Sequence, residues 1–128
     1  MRLDQATILL SLAGLPFIVP HVVEDFADGV AQRVGLSTGV GAFLLGGWLG
    51  LQSLGLILLA CGRAVGWLMT FMISLVWATV ALLDHGPAMI RGTFRTGLPS
   101  VIWVAGLIVT QAVAAALAWC GWRRVRIG

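Results

Sequence analysis

The stretch TGVGAFLLGGWLGLQSLGLILLAC from Thr38 to Cys61, the dipeptide Gly62-Arg63, and AVGWLMTFMISLVWATVALL from Ala64 to Leu83 decide the fold. A helix that crosses a bilayer needs roughly 20 mostly apolar residues, and both runs reach that length without a charged side chain. With so short a connection, the second run folds back on the first as an antiparallel helical hairpin.

Working outward, Ala6 to Val23 and Leu98 to Trp119 are two further apolar runs. The expected spans are therefore about 6–23, 38–61, 64–83 and 98–119. A chain with 59% apolar and 10% charged residues has too little polar surface to cover a soluble globule of this size. The expectation is an all-α integral membrane four-helix bundle, a single domain over residues 1–128. A cleaved signal peptide is an alternative for the first run, but Pro16, Pro20 and His21 interrupt its apolar core and only Arg2 precedes it. Pro16 and Pro20 should kink or break this span, and Pro20 could equally start a short new helix carrying His21 and Glu24.

All eight basic residues are arginine, and their placement orients the chain. Arg2, Arg63, Arg123, Arg124 and Arg126 fall on one side, Arg33, Arg91 and Arg95 on the other. Basic flanks gather in the cytoplasm, so both termini are expected there, in a bacterial-type inner membrane, with the two longer loops outward. The tryptophans of Trp119 to Arg124, with Trp67 beside Arg63, read as an anchor at the inner face. No basic stripe lies on a soluble face, which excludes nucleic acid as a partner. Cys61 and Cys120 lie near cytoplasmic span ends without neighbouring ligands and read as reduced, small interior residues.

Small and polar residues form seams along the spans. Thr7, Ser11, Gly14, Ile18 and His21 recur at steps of three and four in the first, and Thr70, Ser74, Ala78, Ala81 and His85 do so in the third. Gly39, Ala42, Gly46, Gly50 and Ser53 form a glycine-rich packing stripe on the second span, and a homo-oligomer through that face is one expectation. Gln52 and Gln111 lie deep in their spans, and a hydrogen bond between them is the simplest reading. Gly86-Pro87 and Gly97 before Pro99 read as loop punctuation.

Both histidine-bearing seams end at the outer face, where His21, Glu24, Asp25 and Asp28 follow the first span and Asp84 and His85 close the third. Ionisable groups at the hydrocarbon edge are costly to keep, so a cluster drawn from two helices marks a candidate site. An imidazole beside carboxylates suits general acid–base work. His21 and Glu24 are the expected acid–base pair, His85 completes the site and Asp25 orients His21. Pairing of these groups with Arg33, Arg91 and Arg95 in the headgroup region is the plainer alternative. Trp77 and Trp103, with Arg91, are the expected substrate contacts, since indoles beneath such a cluster suit a developing cation. The acid–base reading needs no cofactor. The same donors suit a divalent metal such as zinc or iron, held by His21, Glu24 and His85, although no His-Glu-x-x-His is present. A haem between the histidines ranks lower. The sequence also lacks a phosphate loop, a Ser-His-Asp pattern and a Cys-x-x-Cys, which removes support for nucleotide, serine-hydrolase and thiol chemistry.

His21-Val22-Val23-Glu24-Asp25, followed by His85 and by Gly97-Leu98-Pro99 at the opening of the fourth span, resembles the small bacterial polytopic membrane proteins named for a His-x-x-Glu-Glu motif. The resemblance implies a membrane enzyme with His21 and Glu24 as motif members; Asp25 stands where the second glutamate is expected. A more distant likeness is to the emopamil-binding sterol isomerase group. Together these give the leading expectation of an isomerase- or cyclase-like enzyme moving protons on an isoprenoid or sterol-like membrane lipid. A metal-ion or proton binding and transport protein is the first alternative, and a structural subunit of a membrane complex the second.

Overall fold

A computed structural model describes residues 1–94 and 96–127; Arg95, counted above among the outward arginines, lies outside the described residues. The helices are α1 (Leu3–Ala13), α2 (Leu15–Ala27), α3 (Val30–Arg33), α4 (Thr38–Ala60), α5 (Ala64–Arg91) and α6 (Leu98–Ile127). No strand occurs among the described residues. Four segments are long and apolar enough to cross a membrane: Leu3–Ala27, Thr38–Ala60, Ala64–Arg91 and Leu98–Arg126. The protein is a multi-pass membrane protein with a four-helix bundle fold.

Every span except the second runs longer than the apolar stretch that announces it. The extension of α5 passes through Gly86-Pro87, expected as a loop, and ends at Arg91 against a left-handed Gly92 (φ 66°). Pro87 lacks the N–H that would reach back one turn, but its side chain is exposed at the end of the bundle. This extension keeps His85 in helical register with Ala78 and Ala81, on the buried face of α5.

The first span breaks at Gly14, two residues ahead of Pro16, while Pro20 is carried inside α2. Gly14 keeps right-handed helical torsions (φ −73°, ψ −24°), and its N–H is shared between Leu10 O and Ser11 O at 3.2 Å each. A side chain at this position would collide with the Gln111 amide and stand 3.0 Å from Thr110 Oγ1, so the absence of a Cβ lets the first span meet α6 closely.

The expected hairpin of α4 and α5 is present. Gly62 turns the chain at φ 71°, and a Cβ on Gly66 would stand 2.7 Å from the Leu58 carbonyl carbon, so the two backbones touch there. The glycine stripe on α4 does not make this contact. Gly46, Gly47 and Gly50 are exposed, with nothing within 4 Å of a Cβ added there, and the buried face of α4 is Gln52, Gly55, Leu56 and Leu59. Side-chain hydrogen bonds fix this rotation: Gln52 Nε2 donates to Ser11 Oγ (3.3 Å) and Trp77 Nε1 donates to Gln52 Oε1 (2.9 Å). The expected Gln52–Gln111 bond is therefore replaced by bonds to α1 and α5.

α5 and α6 form the central pair, with α4 against α5 and the first span against α6. Two apolar layers close the interior. Ile18, Ala81 and Leu107 form one beneath the histidines. Leu59, Trp67 and Ala118 form the other, flanked by Leu3 and Trp122, near the end that carries most of the arginines. Trp67 is thus an interior residue against Gly121 rather than an interface anchor, whereas Trp119 is exposed and Trp122 lies 5.6 Å beneath the Arg126 guanidinium. Cys61 and Cys120 are exposed free thiols, not the interior residues expected of them.

Candidate functional site

The site lies at the end of the bundle opposite the arginine-rich layer and is assembled from α2, α5 and the start of α6. On α2, His21 follows the fully buried Ile18 on the inward face and is itself only 4% exposed. On α5, His85 follows Ala81 by one turn. The two imidazoles meet edge to face, with ring centroids 4.6 Å apart and planes at 79°. The convergence expected from the two seams is therefore present.

The carboxylate between the rings belongs to Asp25. Its Oδ2 lies 3.4 Å from His21 Nε2 and its Oδ1 3.7 Å from His85 Nε2. Asp84 Oδ2 approaches His85 Nε2 from the more exposed side, at 3.3 Å. His21, Asp25 and His85 each offer one donor atom, all within 4.8 Å of one another. Asp25 stands in this grouping where the expected metal set of His21, Glu24 and His85 has Glu24. Successive residues of a helix turn by about 100°, so positions three and four ahead of His21 fall to opposite sides of its direction. The side occupied by Asp25 faces α5.

Glu24 turns towards α6. Its Oε1 accepts hydrogen bonds from Ser100 Oγ (2.6 Å) and Thr96 Oγ1 (2.8 Å), and these two hydroxyls also lie against each other. Ser100 is almost wholly buried. Glu24 thus ties the first span to the start of the fourth. Sequence reasoning missed Thr96 and Ser100; the available signal was a pair of hydroxyls one turn apart at the depth of the acidic cluster. Phe94, also missed, stacks on His85 with centroids 6.2 Å apart.

Above the triad opens a cavity of about 220 Å³, walled by Glu24, Asp25, Asp28, Asp84, Arg33 and His85, with Phe94, Ala88 and Val104 as its apolar part. Among the described residues, four carboxylates and one guanidinium line it, and these groups together favour cations. The guanidinium comes from Arg33; Arg91 is exposed at the end of α5 and is not among the lining residues. Trp77 and Trp103 are not lining residues either. Trp77 packs against the Ile18–Ala81–Leu107 layer with its N–H committed to Gln52, and Trp103 is half-buried on α6.

His85 Nε2 is engaged by the Asp25 and Asp84 carboxylates, while His21 Nδ1 is buried and has no hydrogen-bond partner among the described residues. Buried polar atoms left in that condition are unfavourable, and a neutral imidazole nitrogen so placed is free to donate its lone pair. Two imidazoles and one carboxylate are a donor set that suits zinc or non-haem iron, with further coordination positions left open. Comparison with protein-family models, with curated proteins and with solved structures finds no match to this chain.

Proposed function

We propose that this membrane protein binds a divalent transition-metal cation at His21, Asp25 and His85, drawn in through the acidic cavity above them. The observation that carries this reading is the close grouping of three donor atoms from two spans. Glu24, Asp28 and Asp84 act in it as an electrostatic funnel. Elemental analysis of purified protein tests it. One zinc or iron per chain, lost in His21→Ala and His85→Ala, is expected; metal-free protein that also fails to take up added zinc contradicts it.

The acid–base reading rests on the same triad, with His21 and Asp25 moving a proton in a lipid-like substrate. The observation in its favour is the apolar part of the cavity wall, where Phe94 backs His85 beside Ala88 and Val104. It keeps the likeness to the His-x-x-Glu-Glu membrane proteins, with Asp25 in place of Glu24 as the working carboxylate, and the more distant one to sterol isomerases. Isomerase turnover that survives complete metal removal and fails in Asp25→Asn distinguishes it from the cation reading.

Both readings place the triad at the outer face of a bacterial-type inner membrane, since the arginine-rich end is the one expected to be cytoplasmic. Both take the exposed glycine face of α4 as the surface through which copies of the chain associate.

A further inference from the structure

Between the two apolar layers lies a polar one, to which all four spans contribute. Ser11, Gln52 and Trp77 are joined there by hydrogen bonds. The remaining members are not satisfied. Thr70 Oγ1, Ser74 Oγ and both polar atoms of the Gln111 side chain are buried without a hydrogen-bond partner among the described residues, and these residues are 3%, 1% and 0% exposed. Gln111 follows Leu107 by one turn, and Ser74 precedes Ala81 by two, so both lie inward of the apolar layer beneath the histidines. Gln111 also stands against Gly14, and Thr70 Oγ1 is 3.4 Å from where a Cβ of Gly55 would lie, so the layer reaches the first span and α4.

An unpaired amide or hydroxyl away from water costs on the order of 1–3 kcal/mol, and in the hydrocarbon region neither bulk water nor acyl chains supply a partner. Four such atoms, two hydroxyls on α5 and an amide on α6, call for a ligand that both donates and accepts. The groups carry no formal charge, so they match a neutral ligand rather than an ion. Water, which typically makes about three hydrogen bonds to otherwise unsatisfied buried groups, fits this demand.

We infer that Thr70, Ser74 and Gln111 form an internal hydration site at mid-membrane, a second polar site separated from the His21–Asp25–His85 triad by the Ile18–Ala81–Leu107 layer. Its ligand is a small group of ordered waters. On α6 the dry stretch between the cavity-lining Val104 and Gln111 is about two turns, roughly 10 Å, so the two polar regions are separate. The inference does not rest on cation binding at the triad.

Water-edited solid-state NMR of the full chain in lipid bilayers tests it without any substitution. Magnetisation from water should reach the Gln111 side-chain amide and the Ser74 and Thr70 side chains several-fold faster than it reaches Leu107 and Leu59. Transfer to Gln111, Ser74 and Thr70 as slow as to those leucines would overturn the inference. A second measurement uses Gln111→Met: loss of the fast transfer at Ser74 supports a shared water cluster, and unchanged transfer at Ser74 contradicts it. Because no metal is added, failure here is distinguishable from failure of the proposed cation site.

Discussion

At the scale of single residues, the division of labour between Glu24 and Asp25 follows from one step along a helix. Asp25 lies between two imidazoles, whereas Glu24 holds the hydroxyls of Thr96 and Ser100. Removal of a group that merely orients a metal ligand typically costs 10–100-fold in affinity, so Asp25→Asn, which weakens a ligand itself, should cost at least about tenfold in zinc affinity. Glu24→Ala should instead remove charge-assisted hydrogen bonds and lower stability by about 1–2 kcal/mol, discounted because the carboxylate is partly exposed, while changing zinc affinity much less. Paired zinc titrations and thermal melts of the two variants check this, and equal losses of affinity would contradict the assignment. The sequence made both carboxylates candidates and could not choose between them. The choice depends on the azimuth at which α2 meets α5, a tertiary quantity. Trp77 was misplaced for a similar reason: its spacing from His85 fitted a pocket wall, but the indole N–H is taken by Gln52 from another span.

Among the elements, hydrophobic run length identified all four spans, because a bilayer demands it of each one separately. It failed at span ends. Gly86-Pro87 carries a loop signature, yet α5 continues through it to Arg91, because an exposed proline at the end of a packed helix forfeits little. The glycines show the same split between local pattern and tertiary use. Gly66 and the stripe of Gly46 and Gly50 are alike in sequence, but only Gly66 lies against another backbone. Gly66→Val should therefore destabilise the detergent-solubilised chain by about 1–3 kcal/mol, as overpacking does. Gly50→Leu should leave monomer stability nearly unchanged and reduce self-association. Thermal melts with light scattering on both variants read the two effects. A fully folded Gly66→Val protein would contradict the hairpin contact, and undiminished association of Gly50→Leu would remove α4 as the interface.

For the whole molecule, the arrangement is one of alternating layers: an acidic cavity and triad, an apolar layer, a polar layer, and a second apolar layer near the arginine-rich end. Seams of small and polar residues on the first and third spans announced that the interior would be polar in places. The alternation itself was not legible, since it depends on residues of four spans reaching the same depth. The orientation of these layers in the membrane is open to a direct check, because Cys61 is exposed in the tight turn at the arginine-rich end and Val34 is exposed near the triad. A membrane-impermeant maleimide should label Val34→Cys in intact cells and reach Cys61 only after permeabilisation. The reverse pattern would invert the topology and turn the acidic cavity towards the cytoplasm.

The X-ray absorption spectrum of the zinc-loaded protein tests the proposed cation site most directly. Two imidazole nitrogens at about 2.0–2.1 Å and one carboxylate oxygen at about 2.0–2.2 Å are expected, with one imidazole lost in His85→Ala. Failure to retain zinc, or a first shell containing sulfur from Cys61 or Cys120 or lacking imidazole, would contradict binding at His21, Asp25 and His85.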